Sequence, residues 1–505
     1  MTLIGTIGPL TTSRIAPVRR TAAALGALGT LVSLLGSWTP SLWGDEAASV
    51  LSAERSVPSL LMMIQHVDAV HGTYYLGLHF WIGLFGTSPF SIRLPSAIAI
   101  GVCVAGMVVL GSRLDSLRVG VVAGIVCAVL PRVTSMGQEA RSYAFSAAIA
   151  TWLTVLLVDI LAQPRPARRR WVAYGALLAL AIYVFLYLVL IAAAHLLLIL
   201  MRADRRSLVK SWGLAAGFAV VAASPLIVTG IFEHGQIAYL ATRTEVTFAT
   251  LAVGLWFGTN AFALLAWALI AAALVVLVLD WRSRRVRVRL APPALPAPTI
   301  VAMVWLVVPS ALLVGSHFLV PDFTARYLSM CAPAAAMLIG MGIVGLARRR
   351  LVVTVLLLAV VVGFSVPVWV QQRGPFAKNN SDWAQISSRL GAVAQPGDAV
   401  AFDESVRPSR LPRLALNTYP AGFAGLRDVT LKTPFSKNTT WHDDVYTLDE
   451  AAALGRLDGV TRLWMVEYAI GSTVDTDGIA ELATLGFQRG TTIMNHRSAI
   501  IEFDR

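Results

Sequence analysis

The chain has 505 residues, of which 56% are hydrophobic and only 14% charged. A soluble globular protein carries roughly 25% charged residues, so the composition excludes an ordinary soluble enzyme and indicates a polytopic helical membrane protein. The formal charge of +13 comes in short arginine blocks between apolar runs, the pattern of cytoplasmic loops and not of a nucleic-acid surface.

Apolar runs recur from residue 21 to residue 370. The first, 21–39, follows Arg14, Arg19 and Arg20 and is not followed by a small-residue cleavage pattern. It reads as an uncleaved anchor with a cytoplasmic N-terminus. The blocks "RPARRR", "RADRR", "RSRRVRVR" and "RRR" are placed on the cytoplasmic side. A hydrocarbon core of ~30 Å needs ~20 helical residues. With that length and the arginine map, the runs 143–162, 212–231, 261–280, 299–320, 328–346 and 351–370 each cross once. Residues 171–201 form a tight pair of short helices turning on the outer side near Tyr183 and Tyr187. Between 72 and 131 there are three apolar stretches where an even number of crossings is needed; "SRLDSLR" reads as cytoplasmic and 74–86 as a short, partly inserted segment. The expected total is about eleven spans. Cys103, Cys127 and Cys331 lie in apolar runs without metal or disulfide spacing and read as buried small hydrophobes.

At 371–383 the composition turns polar. The expected organisation is a transmembrane domain over 1–371 and a soluble extracytoplasmic domain over 372–505. In the latter, apolar runs at 399–402, 462–468 and 498–503 read as strands. They alternate with helical patterns at 382–394, 448–457 and 477–487, as in a small α/β domain.

On this map five features share the outer face. "SLWGDEAASV" places Asp45 and Glu46 at the start of an outer loop, 44–71, whose amphipathic sequence reads as surface helices broken at Pro58. The loop ends at "HGTYY", with His71 and Tyr74 at the membrane edge. "QEARSY" brings Glu139 and Arg141, and "FTARY" brings Arg326 and Tyr327. Tyr183 and Tyr187 read first as packing residues, and Tyr183 is kept as a candidate. Singly, the acids read as solvated loop residues, the tyrosines as an interfacial belt and the arginines as headgroup contacts. Together they suit a reaction with a base and an anion. A carboxylate accepts a proton from a hydroxyl nucleophile, and arginine forks hold a phosphate. Outside the cytoplasm, where nucleotide-activated sugars are lacking, a lipid phosphate carrying a sugar is the natural donor.

At these residues the chain resembles the GT-C superfamily of membrane glycosyltransferases, in the subgroup of protein O-mannosyltransferases and the lipid A aminoarabinose transferase. The resemblance is carried, in order, by "WGDEA", "HGTYYLGLHFWIGLFG", "SIRLPSA", "QEARSYAF", "IYVFLYLVLIAAAHLLL", "FTARYLSMCAPAAAML" and "SDWAQISSRLGAVAQPGDAV". It implies a GT-C fold in a multi-pass plasma-membrane protein. The implied activity is inverting transfer from a polyprenyl-phosphate sugar to a hydroxyl of an envelope glycan, glycolipid or protein. By motif position Asp45 resembles the catalytic base, with Glu46 beside it. Arg326 and Tyr327 resemble the donor-phosphate contact, and Arg141 a second polar contact. Gly72 and Thr73 stand where relatives often have prolines after the histidine. "QEAR" has one acid where a metal-binding pair would have two, so a divalent cation is not indicated. The Ala-, Arg- and Val-rich composition resembles that of high-GC bacteria, which build mannose- and arabinose-containing envelopes. Mannose is therefore the first expected sugar and arabinofuranose the second. A lipid or sugar transporter and a membrane scaffold or sensor are the competing classes, but charges at span ends, not at the bilayer midplane, count against transport.

Overall fold

The computed structural model describes residues 12–233, 235–236, 246–285, 295–320 and 322–505, without side chains for 12–15 and 283–285. Residues 234 and 237–245, which the arginine map puts on the outer side, lie outside these residues, as do Pro321 and the second half of the block "RSRRVRVR". In chain order the first sixteen α-helices are α1 (Thr12–Leu34), α2 (Gly44–Glu54), α3 (Val57–Met63), α4 (Gly72–Phe85), α5 (Pro89–Leu114), α6 (Leu117–Val129), α7 (Pro131–Gly137), α8 (Tyr143–Leu161), α9 (Arg168–Val184), α10 (Leu190–Leu200), α11 (Arg205–Ala222), α12 (Ser224–Phe232), α13 (Asn260–Arg285), α14 (Pro298–His317), α15 (Ala332–Ala347) and α16 (Leu351–Gln371). Contacts gather the chain into two compact units, one of residues 1–35 and 94–370, the other of residues 36–93 and 371–505.

The first unit is helical. Among the described residues, six helical segments are by themselves long and apolar enough to cross a membrane: α5, α8, α13, α14, Ala325–Ala347 and α16. Two bent pairs raise the number to eight, α6 with α7 at 63° and α11 with α12 at 55°. The other expected spans correspond to α1, α9 and the segment Leu186–Leu200, which fall short of that test. Both bends have a proline at their start, Pro131 and Pro225. Leu130, before Pro131, is extended at φ −61 and ψ 127, as a residue preceding proline must be.

The small residues of α15, "APAAAMLIGMGIVGLA", explain its central place. A Cβ on Gly342 would stand 2.0 Å from the Leu269 carbonyl oxygen, and one on Gly340 would stand 3.0 Å from Ala123 Cα. Backbones approach this closely only over small side chains. The apolar window of this segment is 78% buried within the protein, whereas that of α16 is 22% buried, leaving α16 an apolar face for lipid.

The second unit is built on a mixed sheet. Its strands are β1 (Ala399–Phe402), β2 (Arg427–Asp428), β3 (Leu431–Thr433), β4 (Asp444–Val445), β5 (Arg462–Ile470), β6 (Thr473–Val474), β7 (Gln488–Met494) and β8 (Ser498–Asp504). The main order is β2-β1-β5-β8-β7, with β1 parallel to β2 and β5, and β8 antiparallel to β5 and β7. β3 and β4 form a separate hairpin. Helix α17 (Trp383–Val393) buries Trp383, Ile386, Ser387 and Leu390, one helical stripe. Helix α18 (Leu414–Thr418) follows, and α19 (Leu448–Ala453) starts at a capping box between Thr447 and Glu450. Helix α20 (Ile479–Thr484) precedes β7. The expected strands at 399–402, 462–468 and 498–503 fall on β1, β5 and β8. β7 is an addition: its side chains are almost all exposed and its register shifts between Arg489 and Thr492. A polar edge strand of this kind has no hydrophobic alternation to reveal it.

Residues 36–93 join this unit through specific bonds. The buried Arg55 donates through Nε to Ser59 Oγ at 3.0 Å, through Nη1 to the Thr440 carbonyl at 2.8 Å, and through Nη2 to the Asn438 carbonyl. Ser59 Oγ in turn donates to the Ser436 carbonyl at 2.6 Å. These bonds fix the short helices α2 and α3 against the loop before β4. Ser56 caps α3, and Pro58 stands in its first turn.

Candidate active site

Trp43 is extended, and α2 begins at Gly44 with Asp45 and Glu46 in its first turn, where acids complement the helix dipole. The two acids have different surroundings. Asp45 is partly exposed, whereas Glu46 has no solvent exposure. Arg93 donates to both Glu46 oxygens, Nε to Oε1 at 2.7 Å and Nη2 to Oε2 at 2.5 Å. The same guanidinium donates to the carbonyls of Ser37 at 2.5 Å, Pro40 at 2.9 Å and Ser41 at 3.4 Å. One buried arginine thus ties the segment before α2 to the helix's first turn.

That segment is held from its other side as well. Leu42 N donates to the Tyr419 hydroxyl at 2.9 Å, and Ser381 Oγ donates to the Leu42 carbonyl at 2.6 Å. Gly44 is required by packing: a Cβ there would lie 2.3 Å from the Ser409 carbonyl oxygen.

In "HGTYY", a three-residue 3₁₀ turn (Ala69–His71) leads into α4. Tyr75 donates to Asp68 Oδ2 at 2.9 Å, and Asp68 holds a left-handed backbone at φ 59. His71 is partly exposed, with its ring centroid 5.9 Å from that of Tyr75. Tyr74 is buried beside Tyr75 at 6.5 Å. Asp68 is the anchor of this turn.

In the helical unit, the Pro131 bend delivers α7 and then "QEAR". Ser96 Oγ donates to the Glu139 carbonyl at 2.6 Å and lies 3.4 Å from the Arg141 carbonyl, fixing the backbone that carries both side chains. Glu139 and Arg141 are nearly buried. Arg132, one residue past Pro131, donates from Nε and Nη2 to Ser329 Oγ at 3.1 and 2.8 Å. Ser329 Oγ donates to the Arg326 carbonyl at 2.5 Å. Arg132 also lies within electrostatic reach of Glu139 and Arg326. Sequence reasoning passed over Arg132; its signal was an arginine directly after a proline-led bend.

Tyr327 stacks on Tyr187, with centroids 4.7 Å apart and planes at 24°. Phe185 packs against Tyr327 and Tyr143. Tyr183 instead donates to the Ala222 carbonyl at 3.0 Å, bracing the break between α11 and α12. The unit therefore brings Arg132, Glu139, Arg326 and Tyr327 into one neighbourhood, with Tyr187 and not Tyr183 as the tyrosine stacked there.

A family model described as dolichyl-phosphate-mannose-protein mannosyltransferase matches residues 73–229. No curated protein sequence matches the chain significantly. Among solved structures, ArnT from Cupriavidus metallidurans bound to undecaprenyl phosphate shares the fold with a TM-score of 0.57 at 13% identity, over 95% of this chain and 97% of that one. Its apo state gives a TM-score of 0.57 at 12% identity, with the same coverage of 95% and 97%. Arabinofuranosyltransferase AftD from Mycobacteria gives 0.50 at 15% identity, over 96% of this chain and 40% of that one. The chain thus shares its fold with these membrane glycosyltransferases, and residues 73–229 are similar to the mannosyltransferase family.

Proposed function

We propose that the protein is an inverting glycosyltransferase that uses a polyprenyl-phosphate sugar and works on the outer face of the plasma membrane. The acceptor is a hydroxyl of an envelope glycan, glycolipid or protein. The observation that carries this reading is the division of labour in the first turn of α2. Glu46 is consumed by Arg93, while Asp45 keeps a partly exposed carboxylate on a fixed backbone.

In this mechanism Asp45 accepts the proton of the acceptor hydroxyl as its oxygen attacks the anomeric carbon. Attack comes from the side opposite the phosphate. The bond between the anomeric carbon and the phosphate oxygen breaks, and polyprenyl phosphate leaves with the bonding electrons. Arg326, Arg132 and Arg141 neutralise the developing phosphate charge through forked bonds. Tyr327 and Tyr187 offer an aromatic surface. Glu139 orients the arginines, His71 and Tyr74 contact substrate, and Tyr183 braces the helix break. Glu46 acts as a positioning residue. Residues 1–371 supply the catalytic chemistry and 372–505 present the acceptor. A hexose, mannose first, is favoured by the description of the matching family. A pentofuranose is the second choice, favoured by the fold shared with AftD.

The test is incubation of the purified protein with labelled polyprenyl-phosphate-mannose, or the arabinose analogue, and envelope fractions, with mass and linkage analysis of the products. A new glycosidic bond of inverted configuration is expected. Movement of the lipid sugar across proteoliposomes without glycosidic product would replace the reading with transport.

A further inference from the structure

A second feature of the sheet-containing unit is a shallow cleft open to solvent. Trp43 and Gly44 form one side, and Asp382, Ser409, Arg410, Tyr468 and Arg497 line the rest. The walls come from four separate places in the chain: the residues before α2, the start of α17, a 3₁₀ turn (Pro408–Arg410), and the facing ends of β5 and β8.

Its charge arrangement is unusual for a structural site. Arg497 donates to the Tyr468 hydroxyl oxygen from Nε at 3.0 Å and Nη2 at 2.7 Å, with its guanidinium 5.1 Å from the ring centroid. Arg410 Nη1 reaches the same oxygen at 3.4 Å. Two guanidiniums therefore converge on one phenol, and among the described residues neither forms an ion pair with a carboxylate. The acid that lines the cleft, Asp382, accepts through Oδ2 from Arg497 N at 2.7 Å and Ser498 Oγ at 2.9 Å, so that oxygen is committed to the backbone turn. Burial pulls Arg410 below its usual range, and the like charges of Arg497 and Arg407 add to this. The Tyr468 oxygen accepts from both arginines, which leaves its own O–H to donate to a ligand. Such a group is completed by an anion with several acceptor oxygens.

We infer that this cleft is an acceptor subsite for a saccharide bearing a phosphate or carboxylate, with the anion held by Arg410, Arg497 and the Tyr468 hydroxyl. The partly exposed indole of Trp43 takes the apolar face of the sugar ring, while Ser409 and Asp382 face its hydroxyls. The position matters because Trp43 and Gly44 immediately precede Asp45, and consecutive Cα atoms are only ~3.8 Å apart. A sugar anchored there lies beside the first turn of α2, which carries the proposed base. The assignment of this ligand as acceptor rests on the glycosyl transfer proposed above; the anion preference of the cleft does not.

The test uses the full chain in detergent and reads binding by saturation-transfer NMR with three probes: mannose 6-phosphate, glucuronate and methyl mannoside. One or both anionic sugars should bind more tightly than the neutral one, and the stronger of the two identifies the acceptor's charge. Arg410→Gln should weaken the anionic probes ~10-fold, the loss of one charge-assisted bond, without changing the neutral sugar. Arg410→Lys, which keeps the charge but not the fork, should recover part of that loss. Equal binding of neutral and anionic sugars, or an Arg410→Gln variant that folds and binds as before, overturns the subsite. Arg410-dependent anion binding in a protein that transfers no sugar from any polyprenyl-phosphate donor overturns the enzymatic reading and leaves the subsite standing. Transfer that proceeds with no anion preference does the reverse.

Discussion

Glu46 and Arg93 form an ion pair in which neither side chain has any solvent exposure, with Nη2 and Oε2 2.5 Å apart. Adjacent in sequence, Asp45 and Glu46 are thereby given different work. A buried pair contributes little net stability over an apolar replacement, but removing one partner strands a charge, at a cost of about 3–5 kcal/mol. Glu46→Gln should therefore lower the thermal midpoint clearly. Glu46→Leu combined with Arg93→Met should recover most of the stability, but not the transfer rate if the pair also sets the position of Asp45. A double variant with wild-type turnover would remove the pair from any positioning role.

Asp45→Asn should behave in the opposite way. The residue is partly exposed and in the first helical turn, so folding is expected to survive the change. Loss of a general base alone reduces turnover by ~10²–10⁴. The measurement is the transfer rate at saturating donor beside a melting curve of the same preparation. An Asn variant that turns over normally would take Asp45 out of the mechanism.

Gly44→Ala tests whether the backbone before Asp45 must lie against the 3₁₀ turn at Ser409. The new Cβ would stand 2.3 Å from the Ser409 carbonyl oxygen and 2.5 Å from Ser409 Cβ. The neighbour is backbone and cannot swing away, so an overpacking cost of about 1–3 kcal/mol is expected. Stability and transfer should fall together. A Gly44→Ala protein with an unchanged melting curve would show that the two segments do not pack this closely.

Arg132→Ala should raise the KM for the lipid donor more than it lowers kcat, because its proposed role is contact with the phosphate in both ground and transition states. Ser329→Ala is the structural control: it removes the hydroxyl that accepts from Arg132 while keeping the charge. If Ser329→Ala shifts donor KM as strongly as Arg132→Ala, the guanidinium acts by holding Ser329 and not by binding phosphate.

The sequence made some of these residues legible and hid others for physical reasons. Asp45, His71, Arg141 and Arg326 stand at the ends of apolar runs, where a charge is conspicuous. Arg93 was quoted within "SIRLPSA" but given no role, since nothing in one dimension tells which carboxylate, 47 residues away, a buried arginine meets. Arg132 was overshadowed by the richer "QEAR" that follows it. Its partner Ser329 lies 197 positions on, and only the turn at Pro131 makes the meeting possible. The long apolar spans were visible by length alone. The fates of Tyr183, bonded to Ala222, and Tyr187, stacked on Tyr327, depended on the path of Phe185–Val189 between α9 and α10, which no periodicity fixes.

Glu467 on β5 gives the chain a pH dependence of defined sign. It has no solvent exposure, and among the described residues neither of its carboxyl oxygens has a hydrogen-bond partner. Burial, with the neighbouring charges of Asp403, Asp477 and Asp475 acting in the same direction, raises its pKa to about 9. A carboxyl raised in the folded state binds a proton that the unfolded chain has released. The stability it contributes is therefore complete below the unfolded value of 4.5 and is lost as pH rises through about 9. Glu404, pushed up to about 6 by burial, adds to the slope only over the lower part of that range. Between pH 6.5 and 9 the melting temperature of the wild type should fall. Glu467→Gln, which keeps the shape of the neutral acid without its proton, should flatten that fall and melt higher than wild type at pH 9. The comparison is a set of melting curves for both proteins across that interval in one detergent. Parallel profiles would mean that Glu467 is not the group whose ionisation loosens the sheet.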